Sequence, residues 1–267
     1  MKLEEQRFGT LRVERRGFVL EVTIDNPKSD LNAVDGTLHE ELAALFRALR
    51  TESQARAVLL TGSKRAFCAG GDFGWFPELQ GGLDKLEAVR RDGKSIIWDL
   101  LDVEVPIVAA LNGPAVGLGA SIALLCDVIF MADTASIADP HVRVGIVAGD
   151  GGTAIWPLVL GPARAKEFLL TGDKVDAATA ERIGLVNHVV PAAELMDAAR
   201  AFADRLAAGA PLALRYTKLA VNQWIKSVAN VAFDVATALE IVTFQSEDHR
   251  EALAAIREKR KPVFKGR

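Results

Sequence analysis

The sequence predicts an α/β protein. Through its first two-thirds, short apolar runs of strand length alternate with stretches of helical periodicity, and two of those runs are followed by glycine-rich loops. From Ala192 onward only helical periodicity remains, so a helical C-terminal region follows the α/β core.

The elements follow in order. Apolar residues alternate at Phe18, Leu20, Val22 and Ile24, giving two short strands within Leu11 to Ile24 around Arg15-Arg16-Gly17. Asp35 is a helix cap, and Leu38, Leu42, Leu45 and Leu49 carry the helix to about Arg50. Ala57 to Thr61 is a strand ended by Gly62. After the loop Ala66 to Asp72, a helix covers Leu83 to Leu101. Pro106 to Leu111 is the next strand, Gly119 to Cys126 a helix and Val128 to Ala132 a strand. A short helix opens after Gly149-Asp150-Gly151-Gly152-Thr153 and stops near Pro157 or Gly161. The C-terminal region reads as helices over Ala192 to Ala208, Leu212 to Lys226 and Val231 to Glu247, then a charged tail.

Composition narrows the function. Half of the 267 residues are hydrophobic and a quarter are charged, as in a globular chain with a sizeable core. A net charge of −3 gives no reason to expect nucleic acid or an anionic membrane as partner. Val105 to Cys126 is charge-free and long enough to span a bilayer, but Asn112-Gly113-Pro114, Gly117 and Gly119 interrupt it, which favours a strand, a loop and a helix. Cys68 and Cys126 in apolar surroundings write no disulfide or zinc framework, and no metal is expected. The acidic start, Met1 to Glu5, is unlike a secretory signal, so a cytoplasmic setting is the expectation.

Two loops hold the chemistry. One ends Ala69-Gly70-Gly71-Asp72, and the other runs Asn112-Gly113-Pro114-Ala115-Val116-Gly117-Leu118-Gly119. Small residues let main chain approach a ligand, and one N–H from each loop could hold a carbonyl oxygen. Close packing of helix on sheet explains the same glycines. The second loop is not a dinucleotide fingerprint, since Ile122 stands where a third glycine belongs. Asp150 either caps its helix or offers a carboxylate to a substrate. Of the histidines, His39 flanks the apolar stripe of the first helix and His141 follows Asp139-Pro140. His188 and His249 have no supporting context.

These motifs, in this order, resemble the crotonase (enoyl-CoA hydratase/isomerase) superfamily. The resemblance rests on Leu31-Asn32-Ala33, the Ala66 to Asp72 loop, Asn112 to Asp127, Gly149 to Thr153, Leu170-Thr171-Gly172-Asp173, Gly184-Leu185-Val186 and Glu258 to Phe264. It implies a spiral of ββα units over residues 1–200 and a helical region over 201–267 used in trimer contacts, as a homotrimer or a dimer of trimers. It also implies an acyl-CoA substrate with no cofactor beyond the coenzyme A that the substrate carries. The thioester oxygen is held in this family by two backbone N–H groups, and the matching positions are Gly71 and Leu118. Ala33, Ala69, Trp75, Phe76, Ser121, His141 and Trp156 are the implied pocket. In the basic tail from Arg257 to Arg267, Lys261 and Phe264 are the implied coenzyme A contacts.

Ser121 and His141 stand where hydratases of the family keep two glutamates, so the paired-acid mechanism is not carried over. Asp150 is close to the place where isomerase relatives keep an aspartate. Gly145 to Gly151 and Trp156-Pro157 resemble the 6-oxocamphor hydrolase-like branch of β-diketone hydrolases, which pairs this aspartate with a histidine at the position of His39. That branch has a further histidine in the second glycine-rich loop, at a position that Leu118 occupies or adjoins. The leading expectation is therefore enolate chemistry on an acyl-CoA thioester through Asp150 and His39. The alternatives are hydrolysis of a β-diketone or thioester, and acyl-CoA binding without catalysis.

Overall fold

A computed structural model describes residues 2–79 and 81–267. Strands β1 (Leu11–Arg16) and β2 (Val19–Ile24) form an antiparallel hairpin, in register from Leu11↔Ile24 to Arg16↔Val19. Its two-residue turn has Gly17 at φ 60°, the left-handed setting that such turns require at their first central position. Helix α1 (Gly36–Leu49) is capped by Asp35, whose carboxylate accepts from the Leu38 N–H at 2.9 Å. Its leucine stripe is wholly buried.

Strand β3 (Ala57–Gly62) leads through the first glycine-rich loop to a single turn, α2 (Phe76–Leu79), and to α3 (Leu83–Asp102). Strand β4 (Ile107–Leu111) enters the second loop, which contains a two-residue strand, β5 (Ala115–Val116), before α4 (Leu118–Leu124) and β6 (Val128–Ala132). The charge-free Val105 to Cys126 stretch is thus strand, loop and helix. Beyond it come β7 (Ser136–Ala138), a 3-10 turn at His141–Val144, α5 (Gly152–Leu160), α6 (Pro162–Thr171), β8 (Val175–Asp176), α7 (Ala177–Arg182) and β9 (His188–Val190). Helices α8 (Leu195–Ala207), α9 (Pro211–Phe244) and α10 (Glu247–Glu258) complete the chain.

Six strands form one sheet in the order β1-β2-β3-β4-β6-β9, parallel from β2 onward, and β5-β7-β8 form a smaller sheet. Central strands β3 and β4 are buried on both faces, which is why they read as unbroken apolar runs instead of alternating ones. Residue 200, the expected boundary of the core, lies inside α8, whose Leu195, Ala199, Ala203 and Ala207 face packs on β3 and β4.

The C-terminal region differs from its sequence reading in two respects. The charged tail expected after Glu247 begins as the helix α10. A single 34-residue helix, α9, runs where two were expected. The polar residues Ser227 and Asn230 do not end it, because neither glycine nor proline interrupts the ladder there. It stops instead at Ser246, whose hydroxyl accepts from the His249 N–H and starts α10. α9 is long and apolar enough to cross a membrane. Its inner face is polar in places: Lys218 Nζ sits 2.7 Å from Asp127 and 3.0 Å from the Val105 carbonyl, and the Asn222 side chain donates to the Leu101 carbonyl.

Candidate active site

One parallel bridge, Cys68↔Ala115, joins the two glycine-rich loops, and a second, Val34↔Gly71, ties the first loop to the segment before α1. The Val34 N–H donates to the Gly70 carbonyl at 2.8 Å, and the Val34 carbonyl accepts from the Asp72 N–H at 2.9 Å. A residue paired in this way bonds to the neighbours of its opposite number, so Gly71 turns its own N–H aside. Among the described residues the Gly71 amide has no acceptor. Leu118 is the first residue of α4, and its N–H is one of the four that a helix start leaves unpaired. Gly71 and Leu118 line the same cavity. A side chain at Gly71 would collide with the Phe76 ring, and Gly117, at φ 53°, passes so close to His141 that a Cβ would lie 3.2 Å from its Cε1.

The polar end of this cavity gathers around His141. Its Nδ1 is hydrogen-bonded to Asp139, which is fully buried. Its Nε2 lies 3.3 Å from Asp150 Oδ2 and 3.9 Å from Glu240 Oε1. Burial alone would lower the imidazole pKa, but the Asp150 and Asp139 carboxylates outweigh it and hold the pKa well above 6.5. Burial, followed by the Asp150 charge, pushes Glu240 up to about 8 even though His141 opposes the rise. Asp150 does not cap α5: Gly151 holds the cap position, with no side-chain bond, and the Asp150 carboxylate instead reaches His141 and stands 3.5 Å from the Ser121 hydroxyl.

His39 projects from α1 into the same cavity, 5% exposed and with its ring centroid 5.5 Å from that of Trp75. Burial pushes its pKa down to about 4, so the ring is neutral near pH 7. The ion-pair partner of Asp150 is His141, not His39. Trp75, Phe76, Leu79, Leu86, Ile146 and Phe244 supply the apolar wall.

Other expected site residues lie elsewhere. Ser121 is 0% exposed and stands behind Asp150. Ala33 and Ala69 do not line the cavity; their main chains are tied to Asn26 and Leu31. Trp156 is a core residue, 0% exposed and packed on Phe168, because it falls on the inner face of α5. Lys261 and Phe264 are exposed on the C-terminal tail, outside the cavity lining.

Sequence reading missed Asp139 and Glu240. The signal for Glu240 was a carboxylate in register with an apolar stripe, Phe233, Ala236, Thr237 and Phe244, on α9. Asp139, His141 and Asp150 offer ligand atoms within 4.8 Å of one another. Asp139 and Asp150, however, sit on opposite nitrogens of one ring, and those lone pairs diverge. The set is a line of contacts through one imidazole, a hydrogen bond on one side and an ion pair on the other, not a shared centre for an ion.

A parallel sheet whose loops close over buried acids and histidines marks an α/β enzyme. The chain belongs to the enoyl-CoA hydratase/isomerase family, whose profile matches residues 14–267. A probable enoyl-CoA hydratase of Mycobacterium bovis is 35% identical over 257 residues, spanning 96% of this chain and 98% of its own. The crystal structure of an enoyl-CoA hydratase/isomerase from Mycobacterium paratuberculosis superposes with a TM-score of 0.85 at 38% identity, over 92% of this chain and 98% of that one. A β-diketone hydrolase from the cyanobacterium Anabaena, bound to (S)-3-oxocyclohexyl acetic acid, superposes with a TM-score of 0.83 at 33% identity, over 89% and 95%.

Proposed function

We propose that this enzyme moves a double bond along the acyl chain of a coenzyme A thioester through an enolate. One observation carries the reading: two carboxyl groups face one cavity, Asp150 beside a cationic imidazole and Glu240 with a pKa of about 8. Titratable partners whose environments drive their affinities for protons apart serve as base and acid. Asp150 takes a proton from the carbon next to the thioester carbonyl. The oxygen becomes negative and is held by the Gly71 and Leu118 amides. Glu240 returns a proton two carbons further on, and His141, between the two carboxyls, carries the proton back. Reactant and product then differ only in the position of the double bond. The apolar wall keeps water out, which favours this shift over hydration.

The test is an assay with 3-enoyl-CoA in deuterated water, with deuterium expected in the 2-enoyl product. Rapid hydration of crotonyl-CoA that survives Asp150→Asn would refute the reading.

A second reading is favoured by neutral His39 in the cavity wall and by the likeness to the Anabaena hydrolase. Water loses a proton to His39 and its oxygen bonds to one carbonyl of a β-diketone. The carbon–carbon bond breaks, the departing enolate is protonated, and a ketone and a carboxylic acid result. Acid release from a cyclic 1,3-diketone, with coenzyme A esters inert, would select this reading.

The assembly proposed is a homotrimer or a dimer of trimers of a cytoplasmic enzyme. It is supported by the outer face of α9, where Leu212, Tyr216, Trp224, Val231, Val235 and Val242 are exposed in the single chain. In such an assembly the exposed Lys261 and Phe264 are proposed contacts for the coenzyme A nucleotide.

A further inference from the structure

One titratable group outside the polar end of the cavity is completely enclosed. His249, in the first turn of α10, is 0% exposed. Its Nδ1 lies 2.7 Å from the carbonyl of Val144, the last residue of the turn that begins with His141. A carbonyl only accepts, so Nδ1 carries the proton and Nε2 a lone pair. That Nε2 is buried and has no partner among the described residues. The ring is wedged between Phe76, 5.7 Å away between centroids, and Phe244, 5.0 Å away and edge-on. Both phenylalanines form part of the cavity wall. Gly145, at φ 72°, lies so near that a Cβ on it would be 3.0 Å from the backbone nitrogen of His249. The catalytic turn and α10 are therefore in direct contact.

An apolar side chain would fill this space without leaving Nε2 unpaired, a cost that the fold accepts. What histidine adds is a bond to Val144 that no hydrocarbon makes. We propose that His249 is a positioning residue: it fixes the turn bearing His141 against the Phe76 and Phe244 wall, so that the proton-carrying group and the acyl-facing surface keep one spacing. The proposal rests on the reading that His141 takes part in proton transfer.

The chain has four histidines, so uniform ¹⁵N-histidine labelling gives four ring systems to assign. In the unaltered protein His249 is expected in the Nδ1–H form. His249→Leu is expected to move the His141 ring resonances and to lower kcat on 3-enoyl-CoA by about tenfold, a typical effect for a residue that orients a catalytic group. His249→Asn, whose amide nitrogen can replace Nδ1 as donor to Val144, is expected to restore both. A proton on Nε2, unchanged His141 resonances in the leucine variant, or an asparagine variant as impaired as leucine would each overturn the assignment. The spectroscopic measurements need no substrate. They still decide the role of His249 if undiminished turnover by Asp150→Asn removes the proton-transfer reading.

Discussion

The Nε2 atom of His141 lies 3.3 Å from Oδ2 of Asp150, while the opposite ring nitrogen is held by buried Asp139. A ring gripped from both sides cannot rotate away, so Asp150 is presented to the cavity at a set angle beside a positive charge. Asp150→Asn keeps the shape and one acceptor oxygen but cannot take up a proton. We expect kcat to fall by roughly 10²–10⁴-fold with little change in KM, the range for loss of a general base. Steady-state kinetics with 3-enoyl-CoA measure it, and a drop below threefold would dismiss Asp150 as the base.

Glu240 sets the alkaline limit. With its pKa at about 8, the folded protein holds this proton while an unfolded chain, near 4.5, has released it. Between those values the unfolded state binds fewer protons, so stability falls as pH rises. Activity that needs the acid form falls through about pH 8 for the same reason. Glu240→Gln should abolish that limb, lower kcat, and raise the melting temperature at pH 9 relative to the unaltered protein. A pH–rate profile identical in the two proteins would exclude Glu240 as the acid.

The Leu118 amide can be deleted with a proline. Position 118 opens α4, where proline is tolerated and the N–H serves no helical bond. If that N–H holds the substrate oxygen, Leu118→Pro should cost roughly 10²–10³-fold in kcat, as loss of one oxyanion donor does elsewhere. Circular dichroism should show an unchanged fold, and turnover within threefold of normal would mean that the oxygen binds elsewhere.

The exposed face of α9 predicts self-association. Val231 is 78% exposed and Trp224 61% exposed in the single chain, and large apolar side chains left exposed along one helix are what an interface covers. Sedimentation should find a trimer or hexamer for the native protein and a smaller species for Val231→Asp. A monomeric native protein would assign that face to something else.

Lys218 supports the inner side of the same helix. Its ammonium, 6% exposed, meets Asp127 and the Val105 carbonyl. Lys218→Met removes the ion pair and the bond to Val105, but Asp127 is partly exposed and keeps the Ile107 N–H, so we expect a loss of about 1 kcal/mol in urea unfolding.

Much of the scaffold was legible along the chain, because its causes are local. The Asp35 cap depends on Leu38, three residues away, and the β1–β2 turn depends on one glycine. The two glycine-rich loops announced themselves by composition, and the family resemblance placed Gly71, Leu118, Asp150 and His39 among the candidates. The sequence reading divided α9 at residues 227–230, where neither glycine nor proline interrupts the helical ladder. Trp156 was misassigned because an aromatic residue reads alike in a core and in a pocket.

By itself the sequence determined the types of the main elements and the glycine positions where the main chain comes close. Only the tertiary structure decided which groups act on one another: that Asp150 answers to His141 instead of His39 or its own helix, and that Glu240 arrives from α9 to complete the set. Capping and periodicity arise from neighbours within a few residues and leave a pattern in the chain. Hydrogen bonds and charge effects depend on distance in space, and the packing of α9 against Val147 to Gly149 and α5 creates that proximity between segments far apart in sequence.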